Sequence, residues 1–84
     1  MHGSNAKARG YTGTASPVQI LSDDPSRTYI CFYSILGDCE ISIGGDNFDD
    51  TKIVLPEGTM WEPQAIFYQD VSYRGLGTKL CVIS

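Results

Sequence analysis

From residue 17 onward, short apolar runs alternate with Gly, Pro, Asp and Asn at intervals too close for helices. The clearest run is at 38–43. There Cys39, Ile41 and Ile43 alternate with Asp38, Glu40 and Ser42, the period of two that marks a half-buried strand. The run at 27–35 is rich in Thr, Tyr, Ile and Phe, which suit a pleated surface better than a helix. The pattern predicts strands at 18–22, 27–35, 39–43, 52–55, 60–62, 65–68 and 78–83. The segment 64–74 reads as a strand followed by an irregular stretch, with one helical turn around 64–68 as the alternative. Asp23-Asp24-Pro25-Ser26 suits a type I turn, Gly37-Asp38 a tight hairpin, and Gly44-Gly45-Asp46-Asn47 a loop needing positive φ. Pro56-Glu57-Gly58 is a further turn, and Gly75-Leu76-Gly77 opens the last strand. With no internal repeat, the expected fold is all-β: a small antiparallel β-sandwich or barrel.

Two runs depart from simple alternation. Residues 28–33 and 80–83 are apolar or aromatic on both faces. A single sandwich buries one face of each strand, so a second apolar face needs another cover. An N-terminal arm folded over it or a neighbouring subunit would serve, which predicts a homo-oligomer. A closed barrel with an aromatic-rich exterior is the alternative.

Residues 1–16 (MHGSNAKARGYTGTAS) differ in kind, being small, Gly- and Ser-rich and mildly basic. They read as a flexible N-terminal arm, dispensable for folding, ahead of a β-sandwich domain at 17–84. All ten acidic residues lie in that domain against Arg27, Lys52, Arg74 and Lys79, a net −6, while Lys7 and Arg9 make the arm +2. An acidic body argues against a nucleic-acid partner, because phosphate contacts dominate that affinity. A basic arm can still enter an acidic groove on another protein. The chain has 84 residues and hides only roughly 60–65% of its unfolded surface, so oligomerisation or docking is an expected source of extra stability. Cys31, Cys39 and Cys81 are odd in number and form no CxxC pair; they read as buried free thiols, with a Cys31–Cys81 bridge as the rival. The start lacks the apolar stretch of a signal peptide and no run reaches membrane-spanning length, which predicts synthesis in a cytoplasm without export and no membrane partner.

The only histidine is His2, so the body lacks the commonest general base and metal ligand. Cys31 and Cys81 sit in apolar runs that raise a thiol pKa, and no Ser–Lys pairing stands out. The carboxylates Asp46, Asp49 and Asp50 in GGDNFDD have the right chemistry for calcium but the wrong spacing, and they read as a solvated acidic turn. Gly75-x-Gly77 has no following helix to form a phosphate site. The expectation is a non-enzyme with no cofactor and no metal. Trp61, flanked by Pro56 and Pro63, is placed near a sheet edge, either as an interface anchor or as a plug for one end of the core. Tyr11, alone in the arm, could dock into a neighbour's pocket.

A turn ending in Arg27 opens a hydrophobic strand (RTYICFYSI). An acidic strand (DCEISIG), an apolar run into a turn (IVLPEG) and a last strand (GTKLCVIS) follow. This order resembles the small β-sandwich virion proteins of tailed bacteriophages, especially head decoration or cement proteins. The resemblance implies a capsid-surface protein made in the host cytoplasm, often trimeric, that binds the major capsid protein where its subunits meet. In that setting the arm supplies much of the grip. Lys7 and Arg9 would meet carboxylates, and Tyr11 and Trp61 would be apolar anchors. Two other classes stay open: a carbohydrate-binding or host-adhesion module of a phage fibre or tail, using Trp61, and a small acidic inhibitor. The scatter of carboxylates over at least five turns and strands counts against the inhibitor.

Overall fold

The computed structural model describes residues 7–44, 47–65 and 67–84. Eight strands form two four-stranded antiparallel sheets. They are β1 (Ala8–Thr12), β2 (Val18–Leu21), β3 (Cys31–Leu36), β4 (Cys39–Ile43), β5 (Ile53–Leu55), β6 (Met60–Trp61), β7 (Val71–Arg74) and β8 (Lys79–Ile83). The first sheet runs β1-β8-β3-β6 and the second β2-β7-β4-β5. Each link between consecutive strands crosses from one sheet to the other except β4 to β5, and that link carries the one short helix, α1 (Phe48–Thr51).

The core is what the period-two pattern buries. Phe32, Leu80 and Val82 point inward from the first sheet, and Leu21, Cys39, Ile41, Leu55, Val71 and Tyr73 from the second. Where the two sheets meet at one end, polar groups are buried but satisfied. Thr78 Oγ1 donates to the Gly75 carbonyl at 2.7 Å, which leaves the Tyr73 hydroxyl to donate to Thr78. Ser34 Oγ donates to the Gly37 carbonyl at 2.6 Å and lies 3.3 Å from Cys39 Sγ. Burial raises the Tyr73 pKa above its ordinary value. Among the described residues no buried side-chain nitrogen or oxygen lacks a partner.

Several expectations are corrected. The arm boundary at residue 16 does not hold. Lys7 and Ser84 exchange backbone hydrogen bonds at 2.8 and 3.1 Å, β1 pairs with β8 along its length, and Gly13 donates to the Thr78 carbonyl at 2.9 Å. Tyr11 packs against the core and lies 3.4 Å from the Ile20 carbonyl. This stretch therefore covers the β8 edge as a strand of the sheet. Residues 1–6 lie outside the described residues.

Gly37-Asp38 is not a hairpin, since β3 and β4 belong to different sheets. It is a sharp crossing with Gly37 at φ +71°, held by the Glu57 carboxylate accepting from Gly37 N–H and the Asp38 carboxylate accepting from Glu57 N–H. The strand expected at 65–68 is absent among its described residues, as is the helical turn, and β7 forms instead from 71–74. Residues 27–30 are not strand either. There the Arg27 guanidinium overrides β propensity, donating to the carbonyls of Ser22, Phe67 and Gln69 at 2.9–3.1 Å. The acidic segment expected as a solvated turn holds the helix α1. Asn47 caps it through Asp49 N–H, and Asp49 and Asp50 sit in its first turn, where the helix dipole favours them.

Candidate functional site

The two sheets present opposite characters to their surroundings. On the second sheet, the outward row Arg74–Glu40–Val54 and its neighbours Ser42, Ser72 and Gln19 are mostly polar. Glu40 accepts from Lys52 Nζ and Arg74 Nε at 2.8 Å each, and Arg74 reaches on to Asp49 at 2.8 Å. The Arg74 guanidinium also lies 4.7 Å from the Phe48 ring centroid, and Thr51 hydrogen-bonds Ser42, so α1 is fastened over this face. Hydrogen bonds from Arg74 and then Lys52 hold the Glu40 carboxyl below its ordinary range. This face is internally complete.

The first sheet is different. Register places Gly10, Cys81, Tyr33 and Met60 in one outward row across β1, β8, β3 and β6, and Ala8, Ile83 and Cys31 in the next. Lys79 and Leu36 continue it at one end. Met60 is 63% exposed and Leu36 46%, while Tyr33, Cys81 and Ile83 are half-buried. Among the described residues no ion pair lies on this face. Its one shielded member is Cys31, with Tyr29 beside it. The Tyr29 pKa is raised, first by the Glu62 carboxylate, with burial and the neighbouring Cys31 thiol adding to the shift. The double-faced apolar runs read from the sequence thus resolve into a core set (Phe32, Leu80, Val82) and an outward set (Tyr33, Cys81, Ile83).

No known family model matches this chain, and no curated protein and no solved structure matches it either. The surface chemistry therefore carries the functional reading.

The residues singled out from sequence are scattered over this sheet. Lys7 and Arg9 are exposed at the β1 edge, with Arg9 on the same strand face as Tyr11. Tyr11 turns into its own sandwich, so it is not a free anchor. Trp61 lies on the edge strand β6, half-buried, with its ring stacked on Phe32 at 5.6 Å and 20°. Phe67 stacks on Phe32 as well, at 6.3 Å, so Trp61 belongs to an aromatic cluster that closes this end of the core. The residues missed were Tyr33, Met60 and Cys81. Their signal was already present in the double-faced run, but register was needed to put them in one row.

All three cysteines are free, two buried and Cys81 half-buried. Cys31 pairs with Ile83 and Tyr33 with Cys81, so the two outward thiols are diagonal neighbours, about 7–8 Å apart at Cα and too far for a bridge. Among the described residues no three His, Cys, Asp or Glu side chains gather as a metal site, and Asp46 lies outside them. Among the described residues no helix is long and apolar enough to cross a membrane, which says nothing of β-barrels.

Proposed function

We propose that this chain is a non-enzymatic structural protein that docks on a larger protein assembly through the outer face of its β1-β8-β3-β6 sheet. The setting we propose is the head of a tailed bacteriophage, with the chain as a decoration or cement protein on the major capsid protein. The observation that carries the docking reading is the outward row Gly10–Cys81–Tyr33–Met60, apolar and without ion pairs, on a body whose opposite face is closed by its own charge network. The resemblance of the order of features along the sequence to that of head decoration proteins supplies the setting. A protein that binds the assembled lattice and not its separate subunits favours assembly by mass action, and a rigid sandwich with one adhesive face suits that role.

Trp61 offers no comparable support for the carbohydrate-binding alternative, because one face of its ring is already stacked on Phe32. Lys7 and Arg9 alternate with the outward Ala8 and Gly10, so they lie at the β1 edge on the strand face opposite the apolar row.

The test is co-sedimentation with heads of the phage whose genome carries this sequence. Tyr33→Glu points its charge outward and leaves Phe32 and Leu80 in place, so it should fold normally and bind heads more than tenfold more weakly. Wild-type chain that fails to bind any head ends the capsid reading. A Tyr33→Glu variant that binds as tightly as wild type ends the assignment of the face.

A further inference from the structure

The sandwich has four strand edges, and three of them are blunted. The β2 edge follows Pro17 and loses register between Gln19 and Leu21. The β5 strand is three residues long and runs into Pro56, and β6 is two residues long and is followed by Glu62-Pro63. Short strands, prolines and irregular register are the usual protections against edge-to-edge pairing. The β1 edge has none of these three, and its one charged strand residue, Arg9, points to the inner side. The strand is five residues long, in unbroken register with β8, and free of Pro and of acidic residues.

Its free hydrogen-bonding groups can be assigned. Lys7 and Ser84 exchange both backbone bonds, and Gly13 donates to Thr78, so by alternation Arg9 and Tyr11 also face β8. The N–H and C=O groups of Ala8, Gly10 and Thr12 therefore point to the open side. Gly10, at the centre, answers no need within its own chain. Its φ is not positive, and a Cβ built there would meet nothing within 4 Å. Gly13 is the contrast: a Cβ there would collide with the Gly75 carbonyl. A glycine inside a strand weakens it and often marks the close approach of another backbone.

We propose that β1 pairs with β1 of a second copy of this chain, antiparallel, about a two-fold axis at Gly10. Centred there, Gly10 faces Gly10, and Ala8 of each copy faces Thr12 of the other. All three outward donors and all three outward acceptors of each strand are then used. Only small side chains meet on the outer face. On the inner face Arg9 of one copy stands opposite Tyr11 of the other, an aromatic partner for a cation rather than a like charge. Any other register leaves outward groups unpaired. A three-fold ring would need β1 to pair with a different edge, and those edges are the blunted ones, so the edge specifies a dimer and not the trimer expected from the sequence. The two apolar rows then run continuously across the axis, which doubles the width of the outer face. The pairing does not depend on the docking reading, and its test contains no capsid.

Sedimentation of the full chain at tens of micromolar should show a dimer. Backbone hydrogen exchange should show Ala8, Gly10 and Thr12 amides protected along with those of Arg9 and Tyr11. Gly10→Pro removes an outward N–H and no bond within the chain, and it should weaken the dimer at least tenfold. The double variant Ala8→Glu/Thr12→Glu places like charges directly opposite and should be monomeric. Mixed with Ala8→Lys/Thr12→Lys, it should form a mixed dimer, which keeps the test valid even where Gly10→Pro unfolds the chain. Monomer throughout, with Ala8, Gly10 and Thr12 amides exchanging freely, overturns the proposal. So does a dimer indifferent to the charge pairs.

Discussion

Replacing Arg27 tests the least obvious support of the fold. The side chain is buried, at 8% exposure, and among the described residues it has no hydrogen-bonded carboxylate partner. One terminal nitrogen donates to the carbonyls of Phe67 and Gln69, the other to that of Ser22, and the guanidinium carbon lies 5.7 Å from the Phe67 ring centroid. It thereby ties the end of β2 to the loop ahead of β7. Three charge-assisted bonds at about 1.5 kcal/mol each give about 4.5 kcal/mol, less what the exposed carbonyls regain from water in the vacated space. Arg27→Ala should therefore cost about 3 kcal/mol, against a total for 84 residues of about 4–13 kcal/mol.

Arg27→Lys should lose about half as much, because one ammonium has no planar fork to serve carbonyls in two directions. The assay is urea unfolding followed by the fluorescence of Trp61, the only tryptophan, whose stacking on Phe32 reports on the sandwich. With a slope of about 1 kcal/mol per molar, the alanine midpoint should fall by about 3 M. A loss under about 1 kcal/mol for Arg27→Ala would refute the role of the guanidinium as a fastener. Equal stability of Arg27→Lys and wild type would show that charge matters there and geometry does not.

The other predictions concern the two outer faces. Glu40→Gln should cost under about 1 kcal/mol near neutral pH, since the pair network is still partly exposed. Because Arg74 and Lys52 depress the Glu40 pKa, its contribution is present above the ordinary value of 4.5 and is lost as pH falls through the lower folded value. The wild-type and Glu40→Gln unfolding curves should therefore converge in acid, and a gap that persists there would contradict the assignment. Cys81 should react with a maleimide in the native state, while buried Cys31 and Cys39 should react only on unfolding. Under the docking reading, mass spectrometry should find Cys81 protected on phage heads, and equal labelling free and bound would count against this face.

The legible parts of the sequence were those where one strand face is wholly apolar and the other polar. The β4 bounds are those of the clean run of Cys39, Ile41 and Ile43. By contrast β1 hides its alternation, because its outward residues are Ala, Gly and Thr and its inward ones include Arg9, so five paired residues resemble a linker. In the segment before β7 the aromatics misled. Phe67 serves as a cap stacked on Phe32, whereas the quieter Val71 and Tyr73 carry the strand. Arg27 stood out at the head of its run, but two of its partner carbonyls lie 40 and 42 residues away, a separation no local pattern encodes. A Gly-Asp link likewise looks the same whether the next strand joins the same sheet or the opposite one.

The topology explains why the apolar outer face is left open. Every link but one spans the gap between the sheets, and such a link is used up in crossing. The exception, β4 to β5, stays within the second sheet and so can fold back over it. It does so as α1, whose Asp49, Phe48 and Thr51 engage Arg74 and Ser42. No link returns to the first sheet in this way, so among the described residues none is available to lie across Tyr33, Cys81 and Met60. A face assembled from β1, β8, β3 and β6 is also made of strands far apart in the chain, so its composition reflects register and not a local motif. Large apolar side chains in such a row lose free energy to water in the lone chain and regain it when a partner excludes that water, at roughly 25 cal/mol per Å². Under the docking reading the substitutions that matter most are therefore at Tyr33 and Met60, whose side chains stand on that face, and not in the N-terminal stretch.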